Sequence, residues 1–141
     1  MKLTRRRLIK LFGYAVPAIA AHPAFTAVND PVIDLLVYGA TASGVMTAYS
    51  AAKQGLRVVL LEPGVHLGGM VTGGLSATDL GHFTIIGGYA RDFYMQAAAH
   101  YGVHDLDKKE NWLSEPHVGE EIFRSMLKDA GVTVQDRKSV V

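Results

Sequence analysis

Residues 32–62 leave this chain few folds to choose from. The apolar run Val32-Ile33-Asp34-Leu35-Leu36-Val37-Tyr38 stops at Gly39, and Gly39-Ala40-Thr41-Ala42-Ser43-Gly44 leads into a helical pattern. In that pattern Val45, Ala48, Tyr49 and Ala52 share one face. Gly55 stands where a helix-ending glycine belongs, and Arg57-Val58-Val59-Leu60-Leu61 reads as a second buried strand closing on Glu62. Strand, glycine turn, helix, strand, acid is the layout of a dinucleotide-binding βαβ unit. Gly39 allows a sharp turn off the strand, and Gly44 lets the first helical turn press against it. Free N–H groups at the helix start, aided by its dipole, suit a pyrophosphate. Glu62, 18 residues beyond Gly44, lies where an acid reaches the adenosine ribose. The candidate binding residues here are Gly39, Ala40, Thr41, Ser43, Gly44 and Glu62. Thr41 takes the place of the middle glycine of G-x-G-x-x-G, and the competing reading is a βαβ unit that binds nothing.

Length and charge narrow the rest. At 141 residues the chain makes at most one domain, and 49% apolar against 19% charged residues is enough to bury a core. The net charge of +1 is unevenly spread: Lys2, Arg5, Arg6, Arg7 and Lys10 crowd the first ten residues without an acid. With the basic charge confined to that tip, no nucleic-acid partner is expected. The absence of cysteine excludes disulfides, thiolate metal sites and a cysteine nucleophile.

The basic tip leads into Leu11-Phe12-Gly13-Tyr14-Ala15-Val16-Pro17-Ala18-Ile19-Ala20-Ala21, an apolar run too short to span a bilayer comfortably. Ala18-Ile19-Ala20 offers a cleavage site, with Ala24-Phe25-Thr26 as a poorer one. Thr4-Arg5-Arg6-Arg7-Leu8-Ile9-Lys10 resembles the twin-arginine export motif. Residues 1–27 are therefore expected to be a signal peptide that engages the twin-arginine machinery and directs residues 28–141 to the periplasm or beyond. An ordinary secretory signal or an uncleaved anchor is the alternative.

After Glu62 comes Pro63-Gly64-Val65-His66-Leu67-Gly68-Gly69-Met70-Val71-Thr72-Gly73-Gly74-Leu75, a run whose backbone can approach a ligand closely and present N–H groups to an anion. Residues 32–81 resemble the amino-terminal part of FAD-dependent oxidoreductases related to the glutathione-reductase-type flavin fold. The resemblance is to the secreted bacterial type whose turn reads G-[GA]-T-x-[AS]-G-V, in which threonine is usual at the position of Thr41. It continues more loosely to about Val134. It implies FAD as cofactor, with Gly39, Thr41 and Gly44 along the pyrophosphate and Glu62 with its neighbour Pro63 at the adenosine ribose. It further implies that Gly68, Gly69 and Met70 pass along the pyrophosphate toward the flavin, with Thr72 and Gly73 nearer the ring. A surface loop merely punctuated by glycine is the alternative for 68–74. Glu62 argues against a 2′-phosphorylated cofactor, since two negative charges would meet.

Further along, Phe83-Thr84-Ile85-Ile86 is a short apolar run, and Tyr89 to Tyr101 forms a helical stretch with Phe93, Ala97 and Tyr101 on one side. Arg91 and Asp92 read as a solvated face, and Trp112 as a packed residue. A second helix opens at Glu115-Pro116, buries Ile122, Met126, Leu127 and Ala130, and stops at Gly131 before a third parallel strand, Val132-Thr133-Val134. His82, His100, His104 and His117 lack metal-ligand spacing, so no metal is expected.

The expected fold is thus α/β: a partial, truncated Rossmann-like FAD/NAD(P)-binding domain with parallel strands. The resembling family is much longer and carries its substrate-facing region elsewhere, so no catalytic residue is named and the small-molecule substrate is unknown. The expected function is the FAD-binding amino-terminal portion of an exported oxidoreductase, incomplete and inactive alone. A small NAD- or ADP-binding module without catalysis is the competing reading.

Overall fold

A computed structural model of the chain describes residues 32–75 and 81–137, which belong to one compact unit. The signal peptide expected over residues 1–27 lies outside them. Three parallel strands form one sheet in the order β1-β2-β3: β1 (Leu35–Tyr38), β2 (Val58–Leu61) and β3 (Thr133–Gln135). The connections carry α1 (Ala42–Lys53) between β1 and β2, then α2 (Gly88–His100) and α3 (Pro116–Asp129) between β2 and β3. Short 3-10 turns occupy Gly69–Thr72, Phe83–Ile85 and Lys109–Trp112.

The helices begin and end where local chemistry dictates. The Thr41 side chain caps α1 by accepting the Gly44 N–H at 3.2 Å, and Pro116, with no N–H to leave unpaired, starts α3. All three helices close with a glycine at positive φ and a following residue whose N–H reaches back five positions: Leu56 to Ala51, Val103 to Ala98 and Val132 to Leu127. That is the Schellman arrangement, which satisfies carbonyls a helix end would otherwise leave bare.

The register pairs Leu35 with Val58 and Val37 with Leu60, and Leu60 in turn with Val134. These five point into the core with Val45 and Ala48 of α1, Phe93 of α2, and Phe123, Met126 and Leu127 of α3. Phe93 stacks on Phe123 with ring centroids 4.3 Å apart. A smaller cluster gathers Ala98, Leu106 and the fully buried Trp112, whose indole N–H donates to the Leu106 carbonyl at 3.0 Å. Arg91 is half-buried, its guanidinium 5.9 Å from the Trp112 ring centre, so one of the two residues expected on a solvated face serves as packing instead.

The other sheet face differs. Leu36 is 57% and Tyr38 76% exposed, although parallel sheets are ordinarily covered on both sides. Among the described residues β1 pairs with β2 alone, which makes it an edge strand.

One ion pair fastens the open end of β1. The Arg57 guanidinium meets Asp34 through two 2.9 Å hydrogen bonds, and the Arg57 backbone N–H donates to the same carboxylate at 2.9 Å. The side-chain bond, followed by the backbone one, holds the Asp34 carboxyl at about 2 instead of 3.8. Because the folded value lies below the unfolded one, the pair stabilises the fold above about pH 4 and its contribution is lost as pH falls toward 2. Denaturant midpoints should decline across that window, and Asp34→Asn should flatten this part of the decline.

Candidate nucleotide-binding site

The site lies at the carboxyl ends of β1 and β2, where open α/β sheets bind ligands. At the end of β1, Gly39 adopts φ +93°, a left-handed conformation that turns the chain toward α1. A β-carbon added to Gly44 would stand 2.1 Å from the Gly39 carbonyl oxygen, so the turn closes this tightly only around glycine. The exposed Ser43 hydroxyl lies 3.2 Å from that of Thr41 at the mouth of the turn. The Ser43 N–H has no hydrogen-bond partner among the described residues, as expected of a first-turn amide.

Glu62 reaches back over this turn. One carboxylate oxygen accepts the Ala40 N–H and the other the Gly64 N–H, both at 2.6 Å. Each oxygen retains a further lone pair, so the carboxylate is fixed in orientation yet free to accept from a ligand. Pro63 is exposed beside it.

The second glycine run pairs directly with the first. The Gly68 N–H donates to the Ala40 carbonyl at 2.7 Å, and Thr41 and Gly68 form an isolated parallel bridge. A β-carbon on Gly69 would come 3.3 Å from the Thr41 α-carbon, so glycine lets the two turns lie side by side. A β-carbon on Gly68 would meet Thr72 and, at 2.8 Å, the Phe123 ring. Met70 is 79% exposed, whereas Thr72 is half-buried and its hydroxyl donates to the Leu67 carbonyl. Thr72 thus serves the turn's own geometry. Of the expected residues, Gly39, Ala40, Thr41, Ser43, Gly44, Glu62, Gly68 and Gly69 converge on one mouth. Met70 projects into solvent, and Thr72 lies further along the loop.

Four side chains outside the expected set, Arg124, Glu120, Asp136 and His66, brace this region. Arg124 bonds Glu120 at 2.8 Å, Asp136 at 2.8 Å and the Val65 carbonyl at 3.4 Å. His66 Nδ1 is 2.8 Å from Glu120. Burial works against the charge of Glu120, but the hydrogen bonds with His66 and Arg124 outweigh it and hold the carboxyl below its usual range. Among the described residues no group of acids and histidines could hold a metal ion, and no helix is long and apolar enough to cross a membrane.

A parallel βαβ unit with its glycine turn, an oriented acid at the end of the second strand and a paired second glycine run defines a Rossmann-type dinucleotide-binding protein. Residues 34–141 match the FAD dependent oxidoreductase family, and the chain belongs to it; its cofactor is FAD. The chain is 36% identical over 104 residues to a vinyl phenol reductase of Lactiplantibacillus plantarum, a match that spans 72% of this chain and 19% of the relative's length. Among solved structures it is similar to THI4 of Thermovibrio ammonificans, at TM-score 0.49 and 19% identity, over 96% of this chain and 48% of that one. The residues present fit the adenosine diphosphate half of FAD: tight glycine turns where a phosphate needs space, a free first-turn amide, and an acid with lone pairs to spare.

Proposed function

We propose that this chain is the amino-terminal, FAD-binding portion of an exported oxidoreductase, in which electrons pass between a small-molecule substrate and the flavin. The observation that carries this reading is the Glu62 carboxylate, clamped by the Ala40 and Gly64 amides at the mouth of the glycine turn. In it Glu62, with Pro63 beside it, receives the ribose hydroxyls. Gly39, Ala40, Thr41, Ser43 and Gly44 line the pyrophosphate, Gly68 and Gly69 flank it, and Met70 and Thr72 lie toward the flavin. The bound flavin would supply the redox chemistry, while the chain holds and orients the adenosine end. Support for a longer whole comes from the vinyl phenol reductase, of which the match covers 19%. Support for export comes from the twin-arginine-type pattern at Thr4 to Lys10, which suits proteins that fold around a cofactor before transport.

Purified chain should bind FAD and ADP with one-to-one stoichiometry, measured by calorimetry and by quenching of flavin fluorescence. Protein that holds NAD but rejects FAD would overturn the flavin reading in favour of a small nucleotide-binding module. Export is tested separately: replacing Arg5, Arg6 and Arg7 with lysine should retain the chain in the cytoplasm, and unchanged export would remove the twin-arginine reading.

A further inference from the structure

The segment that carries Glu62 is fastened to the end of β3 and to α3 at several points. The Glu62 N–H donates to the Gln135 carbonyl at 2.8 Å, and the Arg137 N–H to the Gly64 carbonyl at 2.9 Å. Between these two backbone ties stands Arg124 of α3. Its guanidinium reaches Asp136, just beyond β3, Glu120 one turn earlier in its own helix, and the Val65 carbonyl. Asp136 is 2% exposed and Arg124 only partly exposed. Such a pair is an expensive way to stabilise a fold, because apolar residues of similar volume often do as well or better. What the guanidinium does that apolar packing cannot is gather three acceptors around one nitrogen: Nη2 lies 2.8 Å from Glu120, 2.8 Å from Asp136 and 3.4 Å from the Val65 carbonyl, while Nε donates to Glu120 as well at 3.0 Å. Two of them belong to the frame, and the third, Val65, belongs to the loop that runs from Glu62 to Gly68.

We propose that Arg124 is a positioning residue for the nucleotide site: anchored to Asp136 and Glu120, it holds the Val65 carbonyl and thereby fixes the Glu62 carboxylate that receives the adenosine ribose. The proposal rests on the assignment of the ribose to Glu62. It gives Arg124 and Asp136 a role in cofactor affinity although neither lies among the residues at the mouth of the turn.

The test is a double-mutant cycle on the full chain with ADP as the probe, read by calorimetry, with thermal midpoints measured on each variant. Arg124→Gln should weaken ADP about tenfold, the net worth of one charge-assisted hydrogen bond. On a Glu62→Gln background the same change should weaken it less than about twofold, because the group through which Arg124 acts is already impaired. Arg124→Gln leaves Asp136 buried without its guanidinium, so Arg124→Lys is the companion variant. It keeps the charge beside Asp136 and hence the fold, yet its side chain ends one atom short of the Nη2 position around which the three acceptors lie, and it lacks the Nε donor. The outermost contact, at Val65, is therefore lost, and ADP affinity should fall as in Arg124→Gln. Additive effects, or wild-type ADP affinity in a folded Arg124→Lys, would overturn the positioning role and leave the ribose assignment standing. Wild-type protein that binds no adenine nucleotide would overturn both.

Discussion

Gly44→Ala should cost about 3 kcal/mol or more of folding stability, at or above the upper end of what an added methyl group does in a packed interior. The added carbon would stand 2.1 Å from the Gly39 carbonyl oxygen, a backbone atom that cannot swing aside. Relief requires moving α1 off β1, and α1 contributes Val45 and Ala48 to the core along with the Thr41 cap. Since domains of this size retain only about 5–15 kcal/mol in total, a large part of the margin disappears. Gly39→Ala is the informative control. Its backbone is strained at φ +93°, but an added carbon there meets nothing within 4 Å, so the cost should be nearer 1–2 kcal/mol. Urea denaturation followed by circular dichroism would rank the two. Equal midpoints would mean that the glycine turn opens more readily than its geometry implies.

The contrast between these glycines marks what the sequence could and could not reveal. The order of strand, turn, helix and strand was legible because each element carries its own period and its own stop: Gly39, Gly55 and Gly131 fall at the positions they hold in the structure. Boundaries shifted by a residue, as with the third strand, read as 132–134 and formed by Thr133–Gln135. The glycine run after Glu62 was recognised as a close-approach segment, but its partner was not. That Gly68 pairs with Thr41 depends on contact across 27 residues, which no local pattern encodes. Phe123 escaped for a related reason. The buried face of its helix was read from Ile122, Met126, Leu127 and Ala130, whereas the neighbours that bury Phe123 are Phe93 and the backbone at Gly68. Arg124 and Asp136 carry no signal in the sequence, since sequence alone does not show a charge being enclosed. Even so, the acid five residues before Gly39, at Asp34, carries an evident signal. It precedes an apolar strand and faces the one arginine that opens the next.

Glu62→Gln should weaken ADP about tenfold while leaving 2′-phospho-ADP unchanged or bound more tightly, and this reversal is the sharpest expected signature of the site. The carboxylate is held by the Ala40 and Gly64 amides, each at 2.6 Å, so its orientation is set before any ligand arrives. A hydrogen bond to a charged group is worth about 1.5–3 kcal/mol, and exchanging an oxygen acceptor for an amide NH2 removes part of that from the ribose contact. The exchange also strains the clamp itself, because the new NH2 group faces a backbone N–H that already donates. For 2′-phospho-ADP the balance runs the other way. The native carboxylate opposes a second negative charge at short range, and neutral glutamine relieves that repulsion. A merely destabilised protein would bind both nucleotides less well, so the ratio of the two affinities separates recognition from folding. A ratio unchanged by Glu62→Gln would mean that the ribose lies elsewhere, and that the carboxylate serves only to tie the two glycine turns together.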